Sequence, residues 1–473
     1  MSLCHQQPCV SRRFHLLQAS FLQRDGLPFA DVLPEEDIER AFTEEGVAFA
    51  QNEDCVYTPH VTLWAFLSQV LHKEEQRSCL AAVSRILVLL ISLGLDACAK
   101  NSGAYCKARA KLPTKVIRRL ATELADGCEQ AVPPHWLWRG RHVKLVDGTT
   151  VSMPDTEANQ HEYPQQSAQA EGLGFPIARM IVLLSLATGM MCDMAMGRYS
   201  GKRTGEPALF RDVLDRLDPQ DIVLADRIQC SYFMIALLLD GHRDLVVRLH
   251  QARKVDYRKT QRLGAGDHLI TWTRPKRPAW MDQQTYEQIP ETITLRLVEI
   301  KVSEPGFRTR SLVVVSTLSD PERYPKDEIA VLYRRRWLAE LDIRAIKSSL
   351  RMDILRCKSP EMVRKEIWVG LLAYNLIRKT ILQAALQADL SPRELSFTTA
   401  MQTIAASLAT LPTMAKDAAE RLITAQLTSI AEQRVGRRPN RIEPRAVKRR
   451  PKPHPLLMKP REQAREELVQ SPA

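Results

Sequence analysis

Three acids in this chain stand where a carboxylate could do chemistry. Asp147 closes the run "KLV" and Asp226 closes "IVLA", so each ends a strand-like apolar segment. An acid at a strand's C-terminal end faces the crevice where open α/β sheets take their ligands. The third, Glu340, lies inside "YRRRWLAELDIRAIK", Tyr333 to Lys347. On a helical wheel at about 100° per residue, Tyr333, Arg336, Arg344 and Lys347 fall within about 40° of Glu340. Leu332, Ala339, Ile343, Ile346 and Leu350 form an apolar stripe roughly a quarter-turn away, and Asp342 points nearly opposite to Glu340. On that wheel Asp342 is expected to face solvent.

A few carboxylates suit hard divalent ions such as Mg²⁺, which take oxygen ligands and leave positions for water and phosphate oxygens. Two such ions about 3.5–4 Å apart can serve an in-line displacement at phosphorus. Plainer readings stand beside this one. The stripe around Glu340 also fits an i,i+4 salt-bridge ladder on a solvated face. Asp147, followed by Gly148, also fits a turn aspartate, and Asp226 fits an N-cap or a partner of Arg227.

The spacing Y-x2-R-x3-E-x6-K, formed by Tyr333, Arg336, Glu340 and Lys347, resembles the signature of bacterial insertion-sequence transposases of the DDE superfamily, in the insertion-sequence-four group. "LVDGTTVSMPDT" and "DIVLADR" resemble the first and second Asp motifs of that family, in the right order. "TLWAFLSQVL", "NSGAYCKARAKLP" and "RRPNRIEPRAVKRRPKPHPLL" also resemble family segments, so the likeness spans the chain from about residue 55. One departure stands in the second motif, which continues "DRIQCSYF" where relatives commonly read D-R-G-F.

The resemblance implies an α/β fold: an RNase-H-like catalytic domain interrupted by a β-strand insertion. It implies that Asp147, Asp226 and Glu340 hold two divalent ions, Mg²⁺ or Mn²⁺. Tyr333, Arg336 and Lys347 would contact phosphates of the terminal inverted repeat, with Arg344 and Arg227 as further DNA contacts. The activity implied is cut-and-paste transposition: cleavage at transposon ends, often through a hairpin, then strand transfer into target DNA by a homodimer. Relatives can stack a tryptophan of the insertion on a flipped base; Trp272 and Trp280 lie there, and a core role is the reading for both. A nuclease without strand transfer would share the three acids, and a catalytically inactive DNA-binding descendant would keep the basic surfaces.

These residues need elements to position them. From about Leu33 to Asp126 the periodicity is helical, as in "LWAFLSQVLH" (Leu63–His72) and "CLAAVSRILVLLISLG" (Cys79–Gly94). "EQAVPPHW" ends this part, because two adjacent prolines stop a helix. "HVKLVDGTT" then reads as a strand that exits through an Asp-Gly turn. "ARMIVLLSLATGMMCDMAMG" reads as two strands joined at Thr188-Gly189, "EPALFRDVLDRL" as a helix, and "DIVLADR" as a short strand entering the helix "SYFMIALLLDG".

A strand-rich stretch follows, and after Pro325 the chain returns to helix. The expected organisation is a helical DNA-binding domain at 1–134, catalytic segments at 135–250 and 310–388, an inserted β-rich module at 251–309, and a helical and basic tail at 389–473. Between Arg434 and Arg461 the tail carries eleven basic residues against one acid, with several prolines, which reads as a mobile basic arm for DNA and dimerisation.

Bulk composition agrees. The 473 residues carry 67 Lys and Arg against 55 Asp and Glu, a net charge of +12 that attracts polyanions, either nucleic acid or an anionic membrane surface. The ten cysteines form no C-x-x-C pair and read as reduced core thiols. The longest apolar runs, Ile86–Leu95 and Met180–Cys192, fall short of the ~20 residues of a membrane span. No membrane association is expected, and a cytoplasmic location at the bacterial nucleoid is.

Overall fold

Apolar residues at helical spacing open the described chain. In this computed structural model the described residues are 32–49, 55–92, 100–301, 311–408, 410–436 and 455–470. Five helices lead: α1 (Glu35–Glu44), α2 (Pro59–Leu71), α3 (Cys79–Ser92), α4 (Gly103–Lys111) and α5 (Thr114–Gln130). Local chemistry sets their ends. Thr58 caps α2 by accepting from the Val61 amide, and Pro59 fills its first position, where no amide donor is needed.

The sheet begins with β1 (Val143–Ser152). A short α6 (Glu157–Glu162) leads to the hairpin β2 (Ile177–Ser185) and β3 (Met191–Arg198), which turns at Thr188-Gly189 as expected. Then come α7 (Glu206–Arg211), β4 (Ile222–Ala225), α8 (Tyr232–Asp240) and β5 (Asp244–Arg248). The order β3-β2-β1-β4-β5 has β4 and β5 parallel to β1, and β2 antiparallel to both its neighbours. That is the RNase-H-like arrangement.

One local expectation is corrected here. The chain does not turn at Asp147-Gly148; β1 runs through them to Ser152, because β2 pairs with it along that whole length, with Asp147 opposite Val182 and Ser152 opposite Ile177. A partnered strand overrides a dipeptide's turn preference.

Strands β6 (Gln261–Gly264), β7 (Asp267–Thr273) and β8 (Thr292–Lys301), with the short α9 (Gln283–Gln288) before β8, lie in the stretch read as an inserted module. They extend the same sheet, because β9 (Ser311–Ser316) pairs antiparallel with both β5 and β8, giving nine strands in one sheet. Trp272 is buried here under the Arg253 guanidinium, 3.8 Å from its ring, and Arg211 lies 3.8 Å over Trp280.

The chain then forms α10 (Lys326–Arg334), α11 (Trp337–Arg344) and a π turn at Ala345–Ser349, so the single helix of the wheel is broken at Arg335 and loosened after Arg344. Next is α12 (Pro360–Gln387), whose side chains are buried on nearly every face, as expected of a central helix. Asn375 on α12 is fully satisfied there. It donates to the carbonyls of Ala121 (2.8 Å) and Met191 (2.9 Å) and accepts from the Met191 amide (2.8 Å), tying α12 to α5 and β3. The remaining helices are α13 (Phe397–Ser407), α14 (Lys416–Glu432) and α15 (Arg461–Gln470).

Two cores flank the sheet. Leu145, Ile222 and Leu224 join the N-terminal helices and α12 on one face. Val146, Val223 and Ala225 join α7 and α8 on the other. Among the described residues no helix is long and apolar enough to cross a membrane, and Cys79, Cys106, Cys192, Cys230 and Cys357 are free thiols.

Candidate active site

Strand register brings the two aspartates together. The parallel pairing of β1 and β4 ends with Val146 beside Ala225, and the next residue on each strand is the acid. Side chains alternate along a strand, so Asp147 shares a face with Leu145, and Asp226 with Leu224. Both carboxylates therefore emerge on the face covered by α12, Asp226 just past the end of β4 and Asp147 within β1, where the β1–β4 pairing stops. The Asp147 carboxylate accepts from the Gly148 amide at 2.9 Å, and that of Asp226 from the Ile228 amide at 2.6 Å, where it caps a short 3₁₀ turn. The N-cap reading of Asp226 is therefore met, whereas Arg227 turns away, is exposed, and donates to Gln251 at 2.8 Å.

Helix α11 supplies the third acid. Arg336 donates to Glu340 at 2.7 Å and its guanidinium lies 3.6 Å from Asp147, so one cation links the helix acid to the strand acid. The ladder reading of the stripe is thus half met, but the ladder runs into the acids of the sheet rather than over solvent. As placed, no three acid, His or Cys side chains among the described residues close on one point; the guanidinium stands between two of the three. Burial holds the Asp147 carboxyl above its ordinary range, Arg336 opposes that rise, and Glu340 and Asp226 add to it. The donor set is all oxygen and already gathers one cation, which fits a hard divalent ion.

Tyr333 reaches the same place from α10 but is buried. Its hydroxyl lies 3.4 Å from the Ala225 carbonyl, one residue before Asp226, and burial pushes the phenol up to about 12. Arg344 is exposed and Lys347 half-buried on the following π turn, and neither closes an ion pair among the described residues.

Asp342 is the clear correction. It does not face solvent; it is 1% exposed and takes two arginines. Arg393 donates to both its oxygens at 2.8 and 2.7 Å, and Arg378 from α12 donates to the same carboxylate. The wheel placed Asp342 opposite Glu340 correctly, but that side of the helix meets α12 and the turn at Pro392–Glu394. Arg393 also donates to the carbonyls of Leu186 (2.8 Å) and Ser185, so the cluster pins α11 to the end of β2.

One acid near the site was not singled out from the sequence. Glu206, the first residue of α7, lies so close over Gly148 that a Cβ there would stand 2.5 Å from its Oε1. Its only signals were a glycine after Asp147 and a glutamate opening a helix, neither of which names the other.

The transposase DDE domain matches residues 138–376, which span both aspartates and Glu340. The chain is 28% identical over 374 residues to the transposase for insertion sequence element IS4 of Escherichia coli K12, covering 75% of this chain and 78% of that one. It is 38% identical over 81 residues to the putative transposase for insertion sequence element IS186A of the same organism, covering 17% and 21% of the two chains. A solved piggyBac transposase synaptic complex with hairpin DNA aligns over 87% of this chain and 85% of its own, at 10% identity and a TM-score of 0.43.

Proposed function

This chain belongs to the DDE transposases, and from that membership we propose that Asp147, Asp226 and Glu340 hold the divalent cations with which it cuts transposon ends and joins them to target DNA. The observation that carries this reading is the meeting of two aspartates on neighbouring strands, where the β1–β4 pairing stops, with a helix glutamate tied to one of them through Arg336. Mg²⁺ or Mn²⁺ suits such a donor set, and a bound pair supplies activation of the attacking oxygen and stabilisation of the leaving one.

The chain's own groups do the rest. Asp147 and Asp226 are fixed by the strand pairing, and Glu340 by the Asp342 cluster on the other side of its helix. Arg336, which here serves Asp147 and Glu340, has the planar fork to take a phosphate instead. Tyr333 stays a neutral phenol at physiological pH and can act only as a hydrogen-bond donor or acceptor at the foot of Asp226. Arg344, Lys347 and Arg227 supply charge along the path of a DNA backbone.

Within this reading 135–250 and 310–388 form the catalytic domain and 251–309 its insertion. The helices within 1–134 and the basic arm between Arg434 and Arg461 bind DNA ends, residues 437–454 of the arm lying outside those described. The pathway is cut-and-paste, and two ends are brought together by a homodimer.

The test uses DNA carrying the inverted repeats that flank the gene. Glu340→Ala is expected to abolish Mg²⁺-dependent cleavage of that DNA while end binding, read by gel shift, is largely kept. Full cleavage by this variant would overturn the assignment.

A further inference from the structure

The parallel register that aligns the two aspartates continues onto a third strand. Ala225 of β4 pairs with Val146 of β1 on one side and with Val247 of β5 on the other, so the next residues along the three strands are Asp147, Asp226 and Arg248. Asp226 is still extended, which keeps this row intact past the end of β4. Arg248 shares a face with Val246 and stands opposite Val314 of β9, and both valines belong to the core that holds Leu145 and Leu224. Its side chain therefore leaves the sheet on the same side as the two carboxylates, one strand beyond Asp226 and two beyond Asp147. Helix α10 packs against β5 there, and its Tyr333 hydroxyl lies 3.4 Å from the Ala225 carbonyl.

The other arginines around this row are engaged. Arg336 lies on Glu340 and Asp147, Arg227 donates to Gln251, and Arg253 covers Trp272. Arg248 is half-buried, yet among the described residues its guanidinium donates no hydrogen bond and closes no ion pair. Asp226 beside it accepts instead from the Ile228 amide of its own turn. A guanidinium has only donors and cannot ligate a metal ion. At the end of a row of carboxylates its use is therefore the anion on which bound cations act, and its planar fork matches the oxygens of a phosphate.

We infer that Arg248 takes a phosphate of the DNA strand laid across the acids, on the Asp226 side, while Arg336 stands on the side of Asp147 and Glu340. The two guanidinia bracket the row and fix the register of the strand over it. The inference rests on the assignment of the three acids above, in which Arg248 has no part, so the two can fail separately.

The experiment uses the full chain and end DNA in which one phosphate at a time near the cleaved bond is replaced by a neutral methylphosphonate. Arg248→Gln is expected to slow Mg²⁺-dependent cleavage by roughly ten- to a hundredfold. Arg248→Lys should fall between it and the parent, because the charge stays and the fork is lost. At one position the methylphosphonate should slow the parent but not slow Arg248→Gln further, since that contact is already gone. Melting of Arg248→Gln should match the parent's, as no partner within the chain is lost; were it lower, Arg248→Lys carries the same comparison. Parent-like cleavage by Arg248→Gln, or equal losses in parent and variant at every methylphosphonate, overturns the phosphate contact, and an inactive Glu340→Ala in the same assay then leaves the three-acid site standing. Full cleavage by Glu340→Ala removes that site and this inference with it.

Discussion

Asp147 and Asp342 show how the same side chain can be a liability in one place and a brace in another. Asp147 is half-buried beside Arg336 and two other acids, and its carboxyl is raised above the ordinary range chiefly by desolvation. Replacing it with Asn keeps an acceptor for the Gly148 amide and removes the charge, so Asp147→Asn is expected to raise the unfolding free energy of the metal-free protein at pH 7. The sign follows from linkage. The folded protein binds this proton at a higher pH than the unfolded chain, so the penalty is full above the raised value and is relieved as pH falls toward the unfolded value of 3.8. Denaturant titrations of both proteins between pH 7 and 4 should show the gap closing as pH falls. A gap that widens would contradict it.

Asp342 is expected to behave oppositely. Asp342→Ala leaves Arg378 and Arg393 buried without their carboxylate, and a cost of about 3–5 kcal/mol is expected from urea unfolding. A loss under 1 kcal/mol would mean that the arginines find other partners. The acid's partners lie 36 and 51 residues further on, beyond any local window of sequence. A wheel can say which side a residue is on, but not what packs there.

Among the elements, the β2–β3 hairpin is the joint on which α11 leans. Gly189 has φ +77°, a left-handed conformation that suits its turn, and its carbonyl accepts from the Tyr374 hydroxyl at 2.8 Å. A Cβ there would stand 2.9 Å from the Arg378 guanidinium, and Arg378 in turn holds Asp342. Gly189→Ala is therefore expected to cost more than the roughly 1–2 kcal/mol of left-handed strain alone. Combined with Asp342→Ala, its effect should fall short of the sum, because both disturb one cluster. Thermal unfolding of the single and double variants would measure this, and strict additivity would separate the hairpin from the cluster.

This turn was legible in the sequence as Thr188-Gly189 between two apolar runs, whereas the similar Asp147-Gly148 misled. The difference is tertiary: Gly189 links two strands, while Gly148 lies within one strand that β2 pairs along its length. The break of the signature helix at Arg335 likewise left no mark in the periodicity, since apolar spacing continues across it.

Taken whole, the molecule repeats that division between local and distant information. Helices and strands were readable from periodicity, and the two aspartates from the apolar runs before them, although Asp147 lies within β1 and not at its end. That β6, β7 and β8 extend the central sheet, and that the N-terminal helices share a core with α12, depends on packing across hundreds of residues. Charge is the whole-molecule property that sequence conveys most directly, and it carries the last prediction. The C-terminal segment is rich in Lys and Arg, yet among the described residues no buried apolar side chain lies beyond Ile430. A chain ending at Gly436 should therefore unfold at the same denaturant midpoint as the full chain. Its DNA binding should change in a specific way. Each phosphate that the arm no longer neutralises takes about 0.9 from the slope of log affinity against log salt on duplex DNA. The shortened chain should bind end DNA more weakly at low salt, with a slope shallower by several units, and approach the full chain's affinity as salt rises. An unchanged slope with intact cleavage would show that the arm touches no DNA, and would shift the end-binding role to the N-terminal helices.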